Sequence, residues 1–229
     1  MISNQEEKRN LQIEKQNDLL RAILATQESE RKRLAEDLHD SVGQVLSAVK
    51  LNLHRLDHFC TQDEKAGKLL SNTRNLVDES IQEIRDIIQN VRPPLLTDFG
   101  LQEALKDLCF KIQKHTGIII NYQNEAGNER FSAEIEITIY RIVQELFGNT
   151  IKHAEAKNVQ LGFQKISDNL YLDYADDGKG FELNGIKNGS GLKNIESRAS
   201  FIHGKIGYKT SVSHGVNVSV TIPVKFDNQ

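Results

Sequence analysis

This chain of 229 residues has few cysteines, no excess of positive charge and no long apolar run. The two cysteines, Cys60 and Cys109, provide neither a disulfide framework nor a four-ligand metal site, which favours a reducing compartment. The net charge of −3 excludes the basic surface that attracts nucleic acid or anionic lipid. The longest stretch without Asp, Glu, Lys or Arg, Thr210–Val224, has 15 residues and is too short and too polar to span a bilayer. Because the first thirty residues are polar and carry no signal peptide, we expect a cytoplasmic protein, or the cytoplasmic portion of a larger one, with no nucleic acid partner and no membrane segment.

Glycine and proline are nearly absent from the first 92 residues. Only Gly43 and Gly67 lie there, and all three prolines lie at or after Pro93. Because both residue types disfavour helix interiors, the first part is predicted to be helical and the rest to mix helices with strands. Pro93 and Pro94 are predicted to stop the helix and to favour an extended link. The predicted divisions are an N-terminal helix or coiled coil at 1–29, a helical hairpin at 30–92, a linker at 93–98 and a second domain at 99–229.

Apolar residues in the first domain recur every three or four positions, which is the spacing of one helix face. Two such series, at residues 38–59 and 70–91, predict two helices of about 30 residues, each about 45 Å long. Thr61 and Glu64, between the two series, have the spacing of a capping box at the start of the second helix. The first series consists of Leu38, Val42, Val45, Val49, Asn52, Leu56 and Phe59.

Further apolar residues widen this stripe beyond the area that one hairpin covers. Two hairpins are therefore predicted to pair as a homodimer, which forms a four-helix bundle of antiparallel hairpins. The additional residues are Leu46, Leu53, Leu69, Leu76 and Ile87.

The second domain alternates helical and strand patterns. A helix is predicted to end at Gly117, a long helix to cover residues 133–154, and a third to cover Leu192–Phe201. Strands with alternating apolar residues lie between and after these helices, and the last two form a hairpin. The predicted fold is an α/β sandwich, a sheet with helices packed on one face. The predicted strands are residues 118–125, 158–166, 170–175, 205–211 and 215–224.

Four polar residues share one face of the long helix. Glu145, Asn149, Lys152 and His153 stand at positions i, i+4, i+7 and i+8. A carboxylate and an amide oxygen beside one or two cations suit Mg²⁺ and its phosphates, because Mg²⁺ takes few protein ligands and keeps waters and phosphate oxygens for the rest. The alternative is the solvated side of an ordinary amphipathic helix.

Two glycine-containing segments follow in the same domain. In "YADDGKGF", Asp176 ends an apolar strand, where its carboxylate can accept a hydrogen bond from the exocyclic amine of adenine, and Gly178 and Gly180 let the backbone approach the ring. The alternative is a turn with two acidic residues. In "NGSGLKNI", Gly189 and Gly191 precede the helix that includes Leu192, and the free N–H groups there can bind phosphate. Short glycine loops are common, so this last segment alone is not specific.

The three segments, in this order and on these elements, resemble the N, G1 and G2 boxes of the GHKL (Bergerat-fold) ATPases. The resemblance covers about residues 99–229 and implies ATP as cofactor with Mg²⁺, whose ligands would be Asn149 and Glu145. It also implies a mobile lid at roughly Lys179–Ser190. One departure is Val216 after Gly215, where the family often has threonine.

An imidazole and a carboxylate are adjacent on the first helix, within "ERKRLAEDLHDSVGQVL". Asp40 and Gln44 share a helix face and His39 lies about 100° away, so the three form either one site or unrelated solvated side chains. This stretch resembles the phosphoacceptor helix of sensor histidine kinases in two-component systems, and "VRPPLLTDFGLQEAL" resembles the interdomain junction of the nitrate and membrane-fluidity sensor subclass.

The resemblance assigns catalytic roles to His39, Asp40 and Gln44, with Glu145 as a further catalytic residue of the ATP site. His39 matches the phosphorylated histidine, and Asp40 the residue that orients its ring and accepts its proton. Gln44 matches the amide that positions water when the kinase dephosphorylates its partner, the receiver domain of a response regulator. Residues 1–29 would then be a signalling helix, and the link at 93–98 would let the ATP-binding domain swing.

Three alternatives remain open. A GHKL conformational ATPase would use ATP to clamp a dimer, and a catalytically silent dimeric scaffold would keep the hairpin without the nucleotide boxes. His54, His58 and Cys60 could form a metal or redox site, but no fourth ligand is nearby in the sequence and we expect them to be exposed.

Overall fold

A computed structural model describes residues 2–57, 64–91, 93–182 and 190–224. Contacts divide the chain into two compact units. One is Ile23–Pro94, and the other combines Leu95–Gln229 with Met1–Ala22. Within the described residues, no helix is long and apolar enough to cross a lipid bilayer.

The first unit is a helical hairpin. Helix α1 is Ile2–Asp37, a π-helical turn covers Leu38–Gly43, α2 is Gln44–Asp57, and α3 is Glu64–Val91. The unit begins within helix α1, at Ile23, and ends just after α3. Lys50 on α2 forms a 2.6 Å ion pair with Asp78 on α3. The predicted capping box depends on Thr61, which lies outside the described residues.

The apolar stripe of α3 follows the prediction, but that of α2 is shifted. On α3, Leu70 is buried, whereas the widening residues Leu69 and Leu76 are exposed. On α2 the prediction is wrong at Val45, which is 62% exposed, because the half-buried positions are those of Leu46 and, two turns further on, Leu53. The π-helical turn accounts for the shift, since i→i+5 hydrogen bonding places one additional residue in a turn and rotates the helix that follows.

The second unit is built around one five-stranded sheet. Its strand order is β1-β2-β3-β5-β4, with β1 parallel to β2 and the other pairs antiparallel. The elements in chain order are α4 Pro94–Phe99, α5 Leu101–Thr116, β1 Ile119–Asn124, α6 Ala133–Asn149, a π-helical turn at Thr150–Ala154, β2 Asn158–Ile166, β3 Asn169–Asp176, α7 Ser190–Phe201, β4 Lys205–Thr210 and β5 Val216–Pro223.

Alternation along the strands places the core on one face of the sheet. On the central strand β3, Leu170, Leu172 and Tyr174 are buried, and the residues between them are more exposed. Buried residues of α5, α6 and α7 belong to the same apolar cluster. The predicted α/β sandwich is therefore confirmed, and Asp176 stands at the end of its central strand.

The link between the units differs from the prediction. Pro93 and Pro94 do not start an extended segment, because Pro94 is the first residue of the short helix α4. Proline is tolerated at this position, where the missing N–H would have no partner in the helix. Leu96 is only 6% exposed and belongs to the core of the second unit. The segment predicted as a linker is therefore largely part of that unit.

The tight packing of Gly215 gives a test of this fold. Gly215 has φ +66°, and a Cβ atom there would overlap the carbonyl oxygen of Asp176. Gly127 has φ +68° with nothing within 4 Å of such an atom. We expect Gly127→Ala to lower the free energy of unfolding by about 1 kcal/mol, from backbone strain alone. Gly215→Ala should lower it by about 3 kcal/mol or more, because the backbone must also move.

Urea unfolding followed by tyrosine fluorescence measures this difference. All five tyrosines lie between Tyr122 and Tyr208, so the signal reports the second unit alone. Equal losses in the two variants would contradict the close packing at Gly215.

Candidate active site

A cavity of about 470 Å³ lies in the second unit, between the end of α6 with its π-helical turn, the end of β3 and the start of α7. Most of the residues predicted from the sequence motifs line it. They are Glu145, Asn149, Lys152, His153, Asp176, Gly180, Gly191 and Leu192. Residues 183–189 of the predicted lid, which include Gly189, lie outside the described residues.

Asp176 is held in the cavity wall by a chain of hydrogen bonds. It is 8% exposed, and its Oδ1 accepts a 3.0 Å hydrogen bond from the backbone N–H of Gly178. Its Oδ2 accepts a 3.0 Å hydrogen bond from the hydroxyl of Thr150, which lies 2.7 Å from the hydroxyl of Tyr174. Because Thr150 has a single hydroxyl hydrogen, Tyr174 is the donor in that second contact. Burial raises the pKa of Tyr174, so the phenol keeps the proton that it donates to Thr150.

Sequence reasoning missed both hydroxyl residues. Tyr174 stands two positions before Asp176 on the same strand, so the two side chains lie on one face, and this spacing could have identified it. No comparable signal exists for Thr150, because its direction depends on the π-helical turn that begins at this residue.

Asp177 has a different role from its neighbour. Its Oδ1 accepts hydrogen bonds from the backbone N–H groups of Lys157 (2.8 Å) and Asn158 (2.9 Å), and its Oδ2 accepts one from the Asn158 side-chain amide (2.7 Å). The hydrogen bond from that amide, with help from the backbone donors, lowers the pKa of Asp177. Asp177 therefore fastens the start of β2 to the end of β3, while Asp176 faces the cavity. Of the two adjacent aspartates, Asp176 is therefore the candidate to bind a ligand in the cavity.

Glu145 and Asn149 converge on the start of α7. A Cβ atom at Gly191 would lie 2.9 Å from Glu145 Oε1 and 3.0 Å from Asn149 Oδ1. Both oxygens are thus directed at the backbone of Gly191. Only glycine, which has no Cβ atom, allows the backbone to lie so close to them. A carboxylate and an amide oxygen fit the preference of Mg²⁺ for hard ligands, and phosphate and water would have to complete its shell.

The described residues contain no group of three or more His, Cys, Asp and Glu that could hold a metal by themselves. The alternative site formed by His54, His58 and Cys60 has two members outside the described residues.

Gly178 packs against the π-helical turn rather than lining the cavity. A Cβ atom there would overlap the carbonyl oxygen of Ala154. The neighbouring Lys179 N–H donates a 2.8 Å hydrogen bond to that same oxygen. Gly178 thus joins the end of β3 to the turn that carries Lys152 and His153, both of which are exposed.

His39 and Asp40 form an exposed pair on the π-helical turn of the first unit. His39 Nδ1 lies 3.1 Å from Asp40 Oδ1, and the two side chains are 75% and 73% exposed. When Nδ1 carries the proton and donates a hydrogen bond to Asp40, the lone pair of Nε2 is free to act as a nucleophile.

Gln44 follows directly after this π-helical turn, five positions after His39. In an α-helix, residues five apart point in well-separated directions, whereas i→i+5 hydrogen bonding turns the chain less per residue and brings them closer to one side. The turn therefore brings Gln44 nearer to the side of His39 than the sequence pattern predicted.

Two families match the chain, one in each unit. Residues 30–96 match the family described as "Histidine kinase", and residues 134–225 match "Histidine kinase-, DNA gyrase B-, and HSP90-like ATPase". Over 206 residues the chain is 32% identical to the "Signal transduction histidine-protein kinase/phosphatase DegS" of Brevibacillus brevis, a match that covers 88% of this chain. The chain belongs to the histidine kinase family. It spans about half of that relative, 53% of its length.

Solved structures share the fold. The histidine kinase domain of the blue-light activated histidine kinase from Erythrobacter litoralis EL346 aligns with a TM-score of 0.51 and 16% identity, over 79% of this chain and 94% of that one. A longer structure of the same protein aligns with a TM-score of 0.50 and 19% identity, over 71% of this chain and 63% of that one. At these identities the likeness concerns the fold alone.

The two adjacent aspartates allow a matched test of the nucleotide site predicted in the second unit. Asp176→Asn should weaken ATP binding by about 10- to 100-fold, because it replaces a buried acceptor with an amide that presents a donor to the ligand. Isothermal titration of the full chain with ATP measures the change.

Asp177→Asn serves as the control. It should leave ATP affinity within about twofold while it lowers stability, since a charge-assisted hydrogen bond is lost. Because folding lowers the pKa of Asp177, its contribution is present above the unfolded-state pKa and disappears as the pH falls. The stability difference between wild type and this variant should therefore shrink in acid. Equal loss of ATP binding in both variants would contradict the assignment of Asp176.

Proposed function

We propose that the chain is an ATP-dependent histidine autokinase that phosphorylates His39 and passes the phosphoryl group to an aspartate in the receiver domain of a response regulator. One observation carries the proposal. Most of the residues predicted to bind the nucleotide line one cavity in the second unit. The first unit separately presents an exposed histidine oriented by the adjacent Asp40 carboxylate.

The nucleotide site divides its work among its walls. Asp176 accepts a hydrogen bond from the adenine amine, which guanine lacks at that position. Lys152 and His153 lie on the side where phosphates would be, and the backbone N–H groups at the start of α7, from Gly191 onward, add hydrogen bonds to them. Glu145 and Asn149 would hold Mg²⁺, which supplies charge neutralisation for the phosphates when it is bound.

His39 and Asp40 supply the acceptor. While the Nδ1–H group donates a hydrogen bond to Asp40, the Nε2 lone pair forms the new N–P bond. The bond from the γ-phosphorus to its ADP oxygen breaks in the same step. The ring gains positive charge in this step, and Asp40 can accept the Nδ1 proton. Transfer to the receiver aspartate breaks the N–P bond, and return of the proton from Asp40 to Nδ1 regenerates the neutral imidazole.

The exposed apolar residues of the hairpin support a homodimer. Leu69 is 69% exposed and Leu76 is 62% exposed on α3, and Val45 is 62% exposed on α2. A second hairpin would cover this surface in a four-helix bundle.

Neither alternative uses both units. A conformational ATPase has no use for an exposed His39–Asp40 pair, and a silent scaffold has none for the ordered contacts around Asp176. The name of the Brevibacillus relative includes phosphatase, which agrees with a second role for this chain in removing phosphate from the regulator.

Incubation with γ-labelled ATP and Mg²⁺ tests the kinase activity. The label on the chain should be labile in acid and stable in alkali, and His39→Ala should abolish it. His54→Ala, which removes another histidine of the same hairpin, should leave it unchanged. Label that persists in His39→Ala, or no label on the wild-type chain, would refute the proposal.

Gln44→Ala tests the proposed phosphatase role. It should leave the rate of His39 labelling within about twofold and slow the loss of phosphate from a response regulator by about 100-fold, because general positioning of water is lost. The labelling rate is measured with γ-labelled ATP, and the loss of phosphate is measured with a phosphorylated regulator. Both assays use the dimeric kinase. A parallel decrease in the two rates would exclude a role specific to dephosphorylation.

A further inference from the structure

An ion pair between the half-exposed Arg130 and the buried Glu136 lies at the start of α6, away from the nucleotide cavity. Glu136, in the first turn of α6, is 2% exposed. Its carboxylate accepts two hydrogen bonds from Arg130, Nε to Oε1 at 2.9 Å and Nη2 to Oε2 at 3.1 Å. It also accepts a 3.0 Å hydrogen bond from the backbone N–H of Phe131. This geometry satisfies the buried carboxylate, and neither Glu136 nor Arg130 lines the nucleotide cavity.

The same arginine contacts the segment that joins the two units. Arg130 Nη2 donates a 3.4 Å hydrogen bond to the carbonyl oxygen of Thr97, near the C-terminal end of α4. The Arg130 side chain also crosses Gly100 so closely that a Cβ atom there would lie 2.8 Å from Arg130 Cδ. A cation at a helix C-terminus is favourable, because the last carbonyl groups have no partner within the helix.

Helix α4 cannot be stable by itself. It has only six residues, Pro94–Phe99, whereas isolated helices need more than about 12 to persist in water. Burial of Leu96 attaches one side of it to the core, and the Arg130 contacts attach its end. The order of this segment therefore depends on side chains of the second unit.

The order of α4 sets the length of the free tether. Helix α3 ends at Val91 and α4 begins at Pro94, with two positions between them. If α4 were released, nine positions would separate Val91 from the start of α5 at Leu101. Since the effective concentration of a tethered group falls roughly as the −3/2 power of tether length, release would lower it about tenfold.

We propose that Arg130 is a positioning residue for phosphorylation of His39. Paired with the buried Glu136, it fastens α4 to the nucleotide-binding unit and so confines the joint between the units to the short segment after Val91. This role rests on the proposed autokinase activity, and it acts on delivery of the nucleotide rather than on its binding.

The double variant Arg130→Met/Glu136→Gln removes the fastening without leaving an unpaired buried charge. Its maximal rate of His39 labelling should fall about tenfold, while KM for ATP and the Kd for ATP stay within about twofold of wild type. Hydrogen exchange at the backbone amide of Gly100, which donates to Leu96 O, should become faster. A purely structural loss would change ATP binding as well.

Lys165→Met provides the matched control. It removes the ion pair between Lys165 and Glu129, 2.6 Å long, whose acidic partner immediately precedes Arg130. It breaks a comparable contact of the same loop without touching α4, so labelling and exchange at Gly100 should match wild type.

Gly100→Ala reaches the same feature by another route. Gly100 has φ +90°, and the added Cβ would displace the Arg130 side chain while the ion-pair residues remain. The same slower labelling with unchanged ATP affinity is expected, and this variant decides the question if the double variant fails to bind ATP.

The controls separate failure of this inference from failure of the proposed function. Wild-type chain that never labels His39 refutes the kinase proposal itself. Wild-type chain that labels normally, together with an equal or faster rate in a variant that still binds ATP, overturns the positioning role of Arg130.

Discussion

The hydrogen-bonded carboxylate of Asp176 is the constraint on which the second unit's site depends. Its two oxygens are fixed by the backbone at Gly178 and by the hydroxyl of Thr150, which is held in turn by Tyr174. These contacts tie the central strand to the π-helical turn after α6, and therefore to Lys152 and His153. A buried carboxylate with fewer hydrogen-bond partners would cost free energy of folding. The position of the Asp176 carboxylate and the packing of the strand end on the π-helical turn are therefore set together.

Periodicity in the sequence predicted most of the second unit. Strand β2 has the predicted bounds, α5 ends before Gly117, and the helices pack on one face of the sheet. These elements follow from local alternation of apolar residues and from glycine at a helix end, and both are visible without the tertiary structure. The parallel pairing of β1 with β2 is not visible in this way, because it depends on how the chain between them packs.

The errors share a physical cause. The prediction for Val45 is wrong because α-helical spacing does not hold through Leu38–Gly43, where the helix has π geometry. Helix α4 was predicted as an extended link because two prolines dominate the local signal, whereas its order comes from the contacts of Leu96 and Arg130. In the site, spacing identified the residues that line the cavity but not Thr150, whose contact arises only when the turn and the strand meet. Local sequence thus predicts the elements, and distant contacts decide their rotation and their ends.

Three glycines in and beside the cavity wall pack directly on neighbouring residues. Gly178 packs on Ala154, Gly180 on Ser211, and Gly215 on the carbonyl of Asp176, with no space at any of them for a methyl group. This packing keeps its shape when the side chains that line the cavity are exchanged during evolution. Related proteins can therefore differ widely in the side chains that line the cavity. A Cβ atom at any of these three glycine positions, however, would displace the neighbouring residues and deform the pocket.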